Sequence, residues 1–403
     1  MSSLSIAHIE DFFHPDAGYH VNIVSRLQSE AGHRVTIYTS EYGKSPKELT
    51  GFFNSNEIAQ KDDSFARKFD LHVKRLPTYG WLSGRAIYHP HQLRKLATCG
   101  HDIIYIHGHS SVAAMYFLHN ISKLNTPLIF DCHMLDIASK NRLHPLFNSL
   151  YKMYFSPIII EHSLQVIKVV DDNYLADKHG IPTSLTPLYP LGTDRQHFKP
   201  DLARRRKARN SLGIPQDARV AIYCGKITED KGAKELLELL KQPIIPNTWI
   251  VIIGTFPDGR LGNELHEAKA RYNGNLIHLP SQTYLELPNV LMVADFAFFP
   301  RQCSMTFFDL MSLGIPVILE DIPINRQRVS FGNGSVFAKG NFASFLDRFQ
   351  RFATMPVEEL LEFSRAAKRY CDMQVSDYAD TVKNLEELIR SEIKRQRLKQ
   401  SDL

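Results

Sequence analysis

Residues 220–240, VAIYCGKITEDKGAKELLELL, constrain the fold more than any other stretch. Residues 220–224 form a continuous apolar run of strand length. Gly225 ends it, and Gly232 opens a helix that buries Ala233, Leu236, Leu237 and Leu240 at helical spacing. In an open α/β sheet, ligands bind beyond the carboxyl ends of the strands. Lys226 and Lys231 sit in that turn, five residues apart. A helix N-terminus there carries unpaired N–H groups and a positive dipole, so the turn is suited to a diphosphate. A surface turn with two solvated lysines would read the same way, and other stretches have to decide between them.

The same alternation runs along the chain. Residues 4–9 predict a strand, 11–18 (DFFHPDAG) a loop ending in glycine, and 19–32 a helix with Ile23, Val24, Leu27 and Ala31 on one face. Residues 34–39 predict the next strand, completing a βαβ unit. Residues 41–70 are polar and read as an irregular insertion. Further strands are expected at 72–76, 102–107, 127–131 and 166–170, with a helix up to about Leu124 and one long helix over 145–162. Residues 187–200, PLYPLGTDRQHFKP, hold three prolines and a glycine and read as an interdomain linker. Beyond it the alternation resumes, with strands at 248–253, 276–279, 296–299 and 316–318 and helices around 263–272 and 307–313. The last third reads as helices at 342–352, 357–370 and 376–398. Such alternation predicts doubly wound parallel sheets.

At 403 residues the chain is too long for one ordinary core, which predicts two domains. Expected boundaries are 1–195, 196–375, and a C-terminal helix over 376–403 that packs back on the first domain. Hydrophobic content of 43% with 23% charged residues describes a soluble globular chain. A net charge of +5 permits attraction to phosphates or an anionic membrane face but does not call for nucleic acid, and no nucleic-acid partner is expected. The five cysteines are scattered and never form a CxxC pair, which fits a reducing compartment and no structural zinc. No signal peptide is expected, because Met1 to Ser5 leads straight into a strand. The apolar runs 156–170 and 290–300 are cut by charges and too short to span a bilayer. The expected location is cytoplasmic.

Several motifs converge. A strand is followed by Gly225-Lys226, four residues, and Lys231-Gly232. Residues 300–320, PRQCSMTFFDLMSLGIPVILE, place Asp309 ahead of Met311, Gly314, Pro316 and Val317. The linker carries Leu191-Gly192-Thr193-Asp194 and Phe198-Lys199-Pro200. These stretches resemble the retaining glycosyltransferases of the GT-B fold, family 4. The opening DFFHPDAGYH is similar to bacterial polysaccharide and lipopolysaccharide glycosyltransferases. The resemblance covers nearly the whole chain and is most specific at 225–232 and 309–317. Two positions depart from it. Leu191 stands where the family usually has Asn, and Arg301 falls on the first acidic position, where the family's Glu contacts the transferred sugar.

The resemblance implies an α/β fold of two Rossmann-like, doubly wound domains facing a central cleft. It implies that Lys226 and Lys231 hold the diphosphate of a nucleotide sugar and that Asp309 holds the ribose hydroxyls. Gly225 and the backbone N–H groups of Cys303, Ser304, Met305 and Thr306 meet donor oxygens, and Gly18 lets the backbone approach donor phosphate and acceptor. His133, in DCHMLD, contacts the donor sugar. His109, in HGHSS, lines the cleft or is structural. No Asp-x-Asp pair follows a strand convincingly, so no metal and no obligatory cofactor are expected. Fixed cations and a helix N-terminus would stabilise the leaving β-phosphate instead. Retention would follow from attack on the leaving-group face, with closure across 187–200 assembling the site. The expected function is transfer of a sugar from a nucleotide sugar, UDP-sugar favoured over GDP-sugar, to a hydroxyl of a glycan or lipid-linked acceptor. Arg85, Arg94, Lys95, Lys140 and Arg142 could meet anionic headgroups and hold the protein peripherally at the inner membrane face. Two alternatives stay open. One is a catalytically impaired relative that only binds nucleotide sugar or glycan, motivated by Arg301; the other is a nucleotide-sugar 2-epimerase.

Overall fold

A computed structural model of the chain describes residues 2–51, 53, 56–133 and 143–401. The chain forms two compact units, Met1–Leu191 together with Tyr378–Leu403, and Gly192–Asp377.

The first unit is built on strands β1 (Ser5–Glu10), β2 (Arg34–Ser40), β3 (His72–Leu76), β4 (Thr78–Leu82), β5 (Arg85–Tyr88), β6 (Ile103–Ile106), β7 (Leu128–Cys132) and β8 (Gln165–Lys168). Six of them form one sheet in the order β3-β2-β1-β6-β7-β8, with all neighbours parallel. Helices cover both faces of such a sheet, which is why its inner strand β6, IIYI, reads as an unbroken apolar run. The strand order reverses between β1 and β6, so their carboxyl ends open a ready-made crevice.

The region 41–70 is not the irregular insertion expected: it contains the helices Lys47–Thr50 and Ile58–Phe69. The second helix buries only Asp62 and Phe65, so its apolar period is hidden among charges. Phe65 packs edge-on against Phe13, and Asp62 receives a two-pronged ion pair from Arg75 of β3, at 2.6 and 2.9 Å. The helix expected over 145–162 is two, His144–Tyr154 and Ser156–Glu161. Pro157 lacks the N–H that a continuous helix would need and fits only in a first turn. The antiparallel hairpin β4–β5 was not anticipated; Ser83 (φ 49°) and Gly84 (φ 76°) make its tight turn. The final helix, Tyr378–Ser401, belongs to this first unit. It buries Val382, Leu385, Ile389 and Ile393 along one stripe. Arg390 donates to the Ser2 carbonyl (2.9 Å), Arg395 to the His162 carbonyl (2.9 Å), and Glu386 lies 3.4 Å from His33.

The second unit comprises β9 (Gly192–Thr193), β10 (Arg219–Cys224), β11 (Thr248–Ile253), β12 (Asn275–Leu279), β13 (Phe296–Phe299), β14 (Val317–Glu320), β15 (Gly334–Phe337) and β16 (Ser376–Asp377). Its sheet runs β12-β11-β10-β13-β14-β15, again all parallel, and again reverses beside the first strand, between β10 and β13. The short strands β9 and β16 pair in parallel, so the chain enters and leaves this unit side by side. Phe296 and Phe298 of β13 pack against Phe345, Phe349 and Phe352 of the helix Phe342–Thr354.

Candidate functional site

The carboxyl end of β10 meets that of β13 at the second unit's reversal point, and two loops come together there. After Gly225 the chain makes a short 3₁₀ turn, Glu229–Lys231, and then enters the helix Ala233–Leu239. Gly232 joins them at φ 95°, and a Cβ there would come within 3.0 Å of Pro300. Only glycine combines that backbone with so close a neighbour. The Tyr223 hydroxyl shares its one proton between the carbonyls of Lys226 (2.8 Å) and, more weakly, Lys231 (3.3 Å), tying both ends of the turn to β10. On the other loop, a Cβ on Gly225 would sit 3.5 Å from Ser304, and Lys231 Nζ donates to the Cys303 carbonyl at 3.2 Å.

This turn concentrates positive charge. Burial lowers the pKa of the Lys226 ammonium, and Lys231 beside it pushes the same way. Burial also lowers that of Lys231; Cys303 and Asp230 oppose the shift and Arg328 adds to it. Arg328, which ends the helix Pro323–Arg328, lies 5.1 Å over the Phe307 ring. Cations crowded against one another while losing water form a site that an anion would relieve. Arg328 was not foreseen, because only the closure of the fold brings it to this loop.

The helix Thr306–Leu313 starts one residue earlier than expected, with Met305 at its cap. Ser304 Oγ accepts from the Thr306 amide (3.3 Å), so that amide is already engaged, while those of Cys303, Ser304 and Met305 precede the helix. Met305 is exposed, and burial pushes the Cys303 thiol up to about 11. Asp309 lies in the first turn of this helix. It is buried, accepts from Thr193 Oγ1 at 2.7 Å, and is pushed up to about 8 by burial, with Asp194 adding to the rise. Arg301 is held by carboxylates, with Glu235 at 2.6 Å and Glu320 at 3.7 Å.

In the first unit the ends of β1, β6 and β7 carry a network of titratable groups. His8 Nε2 meets Gln28 Oε1 (2.6 Å), His8 Nδ1 meets His107 Nε2 (3.0 Å), and His107 Nδ1 meets Asp131 Oδ2 (2.6 Å). Asp131 also accepts from the Tyr105 hydroxyl (3.0 Å) and the Gly108 amide (2.7 Å), and lies 3.2 Å from His133 Nε2. Burial works against ionisation of Asp131, but His133 and His107 outweigh it and hold the carboxyl well below its usual range. Burial leaves His8 at about 3 and His20 well below the ordinary imidazole range. Glu10 and Asp11, at the end of β1, are pushed up to about 8 and about 7 by burial. His20, His107 and Asp131 bring potential ligand atoms within 4.8 Å of one another, but His107 and Asp131 are hydrogen-bonded to each other.

His109 proves to be a core residue: it is buried, its amide donates to the Asp131 carbonyl (2.8 Å), and its Nε2 meets His179 Nδ1 (2.8 Å). Gly18 is exposed, two residues ahead of the helix His20–Glu30. Arg85 is half-buried. It donates to Ser110 Oγ (2.8 Å) and lies 4.8 Å over the Phe147 ring. Arg94 and Lys95 are exposed on the helix Pro90–Ala97, and Lys140 and Arg142 lie outside the described residues.

Two family models match this chain in succession: Glycosyltransferase Family 4 over residues 17–170 and Glycosyl transferases group 1 over residues 204–370. D-inositol 3-phosphate glycosyltransferase of Mycobacterium tuberculosis is 25% identical over 231 residues, covering 53% of this chain and 46% of that protein. The chain thus spans about half the length of the curated relatives it matches. Among solved structures, a glycosyltransferase from Rickettsia africae matches with a TM-score of 0.70 at 12% identity, over 98% of this chain and 100% of that one. Anabaena HepE, solved in complex with UDP and glucose, matches with a TM-score of 0.67 at 14% identity, over 96% and 100%. At such identities the structural likenesses establish the fold, which is GT-B, and the two family models divide it between the two units. Residues 17–170 of the first unit are thus similar to Glycosyltransferase Family 4, and residues 204–370 of the second to Glycosyl transferases group 1, on the fold that the solved glycosyltransferases share.

Proposed function

We propose that this protein is a retaining glycosyltransferase that moves a sugar from a nucleotide-sugar donor to a hydroxyl of a glycan or lipid-linked acceptor. The observation that carries this is the cluster of Lys226, Lys231 and Arg328 around the loop of Cys303, at the reversal point of the second sheet. Breaking the bond from the anomeric carbon to the β-phosphate leaves negative charge on a phosphate oxygen. Fixed cations with lowered hydration stabilise that charge without a metal. Asp309 serves the ribose, and its proton lets it donate as well as accept. The UDP-bound HepE relative supports a uridine donor over guanosine. His133 contacts the transferred sugar, and Gly18 gives the acceptor access to the backbone.

Arg301 motivated a binding-only reading, but Glu235 and Glu320 balance its charge, and the comparisons favour neither that reading nor a 2-epimerase. Peripheral membrane association draws support from one face of the helix His144–Tyr154 and its cap. Leu143, Leu146, Leu150, Met153 and Tyr154 are exposed there, and the helix carries Lys152 and no acidic residue. No helix among the described residues is long and apolar enough to cross a membrane. The reading puts the protein at the cytoplasmic membrane face.

The test is release of nucleoside diphosphate from a panel of UDP-, GDP- and ADP-sugars in EDTA. One donor should be turned over, and Lys231→Ala should abolish release. Binding without release, even with membrane extract as acceptor source, would overturn the enzyme reading. Cosedimentation with phosphatidylglycerol vesicles but not phosphatidylcholine vesicles is expected for the membrane component.

A further inference from the structure

His133 differs from the other histidines of its network. Its side chain is 37% exposed, whereas those of His107 and Asp131 are 1% and 0% exposed. Asp131 is ionised, and a carboxylate can only accept, so the Nε2 of His133 that faces it carries a proton. Among the described residues, the groups facing this ring come from three elements: Asp131 on β7, Glu10 at the end of β1, and His20 on the helix His20–Glu30, whose ring centre lies 5.3 Å away. Burial keeps His20 neutral, and Glu10, pushed up to about 8, is mostly protonated at neutral pH. Asp131 is therefore the counter-ion. Burial disfavours charge on His133, but Asp131 outweighs it and the pKa is raised, with Glu10 adding to the rise only where it has lost its proton. An imidazolium donates from both nitrogens, so with Nε2 held by Asp131, Nδ1–H is left as a second donor on the exposed ring. Asp131 is in turn fixed by Tyr105, His107 and the Gly108 amide, so it cannot swing away to solvent.

We propose that Asp131 is a positioning residue that holds His133 as a charged hydrogen-bond donor for an oxygen of a bound sugar substrate. This rests on the glycosyl-transfer reading above and assigns Asp131 a part that the sequence motifs do not. Carboxylates that orient a metal-bound histidine typically matter by about 10- to 100-fold, and the expectation for Asp131 is set on that scale.

The experiment compares wild type with Asp131→Asn, Asp131→Glu, His133→Gln and the double variant Asp131→Asn/His133→Gln. Nucleoside diphosphate release is followed between about pH 5 and 9, and His133 ring titration by NMR, the ring being assigned from the signal missing in His133→Gln. Asp131→Asn should lower turnover about tenfold or more and move the alkaline limb of the pH profile to lower pH, because the charged form is lost earlier. Asp131→Glu should recover part of the loss. In the His133→Gln background, Asp131→Asn should cost less than about twofold. UDP affinity by calorimetry should stay near wild type, since Lys226, Lys231 and Arg328 belong to the other unit. An unmoved alkaline limb, or losses that simply multiply in the double variant, would overturn the proposal and leave Asp131 as a fold-stabilising group. If wild type releases nothing, the glycosyl-transfer reading fails and the ring titration alone decides. A lower titration in Asp131→Asn upholds the pair, and an unchanged one refutes it.

Discussion

Tyr223 shows how one side chain sets the shape of the cationic turn. Its hydroxyl joins two carbonyls five residues apart, at 2.8 and 3.3 Å. Tyr223→Phe should lower stability by only about 1 kcal/mol, yet weaken UDP binding severalfold, because Lys226 and Lys231 lose their common anchor. Calorimetric titration with UDP alongside a urea melt would separate the two effects. Asp309 offers a prediction with a defined sign. Its carboxyl is pushed from 3.8 to about 8 in the folded chain, so between those values the folded state holds a proton that the unfolded chain has released. Wild type should therefore lose stability relative to Asp309→Asn as pH rises from about 4 towards 8, and the difference should level off above that. Urea melts across that range would check it, and a gap that widens in the opposite direction would refute a protonated Asp309.

At the scale of elements, the helix Ile58–Phe69 hangs on few contacts. Asp62→Ala removes both prongs of its pair with Arg75 and leaves a half-buried guanidinium to the carbonyls of Ser40 and Phe13. The expected cost is about 2 kcal/mol, with amide exchange accelerated in this helix before the rest of the unit. Equal acceleration throughout the sheet would contradict a local anchor. The same helix explains what the sequence concealed. Strands such as Thr248–Ile253 and Phe296–Phe299 are buried on both faces, so their composition alone announces them. A helix that buries one aspartate and one phenylalanine has no such signature. The hairpin β4–β5 rested on two residues, Ser83 and Gly84. In the second unit the cationic turn was legible because glycine and lysine spacing is local. Arg328 was not, since tertiary closure brings it to Phe307, and Tyr223 was not, since it reads as one more residue of an apolar strand although its hydroxyl partners lie only three and eight residues on. The histidine network was less legible still: His8 and His107 meet across ninety-nine residues. Asp131 gave one unweighed sign, a charge at the end of an apolar strand.

For the whole molecule, the chain order matters as much as the fold. The first unit is completed by Tyr378–Leu403, which follows all of the second unit. Deleting residues 378–403 uncovers the stripe facing Val382, Leu385, Ile389 and Ile393. The loss is on the order of 5 kcal/mol of apolar burial, comparable with the whole stability of a domain. The truncated chain should show a collapsed first-unit transition in calorimetry while still binding UDP through Gly192–Asp377. Loss of UDP binding as well would mean that the second unit cannot stand without this helix. During synthesis, domains ordinarily close in the order they leave the ribosome. Here the earlier half must wait, its helix His20–Glu30 bare on the side that the last helix covers, until the later half has emerged. A ribosome that stalls before residues 378–403 have emerged would therefore spoil the first unit, and that unit is the one a chaperone has most reason to hold.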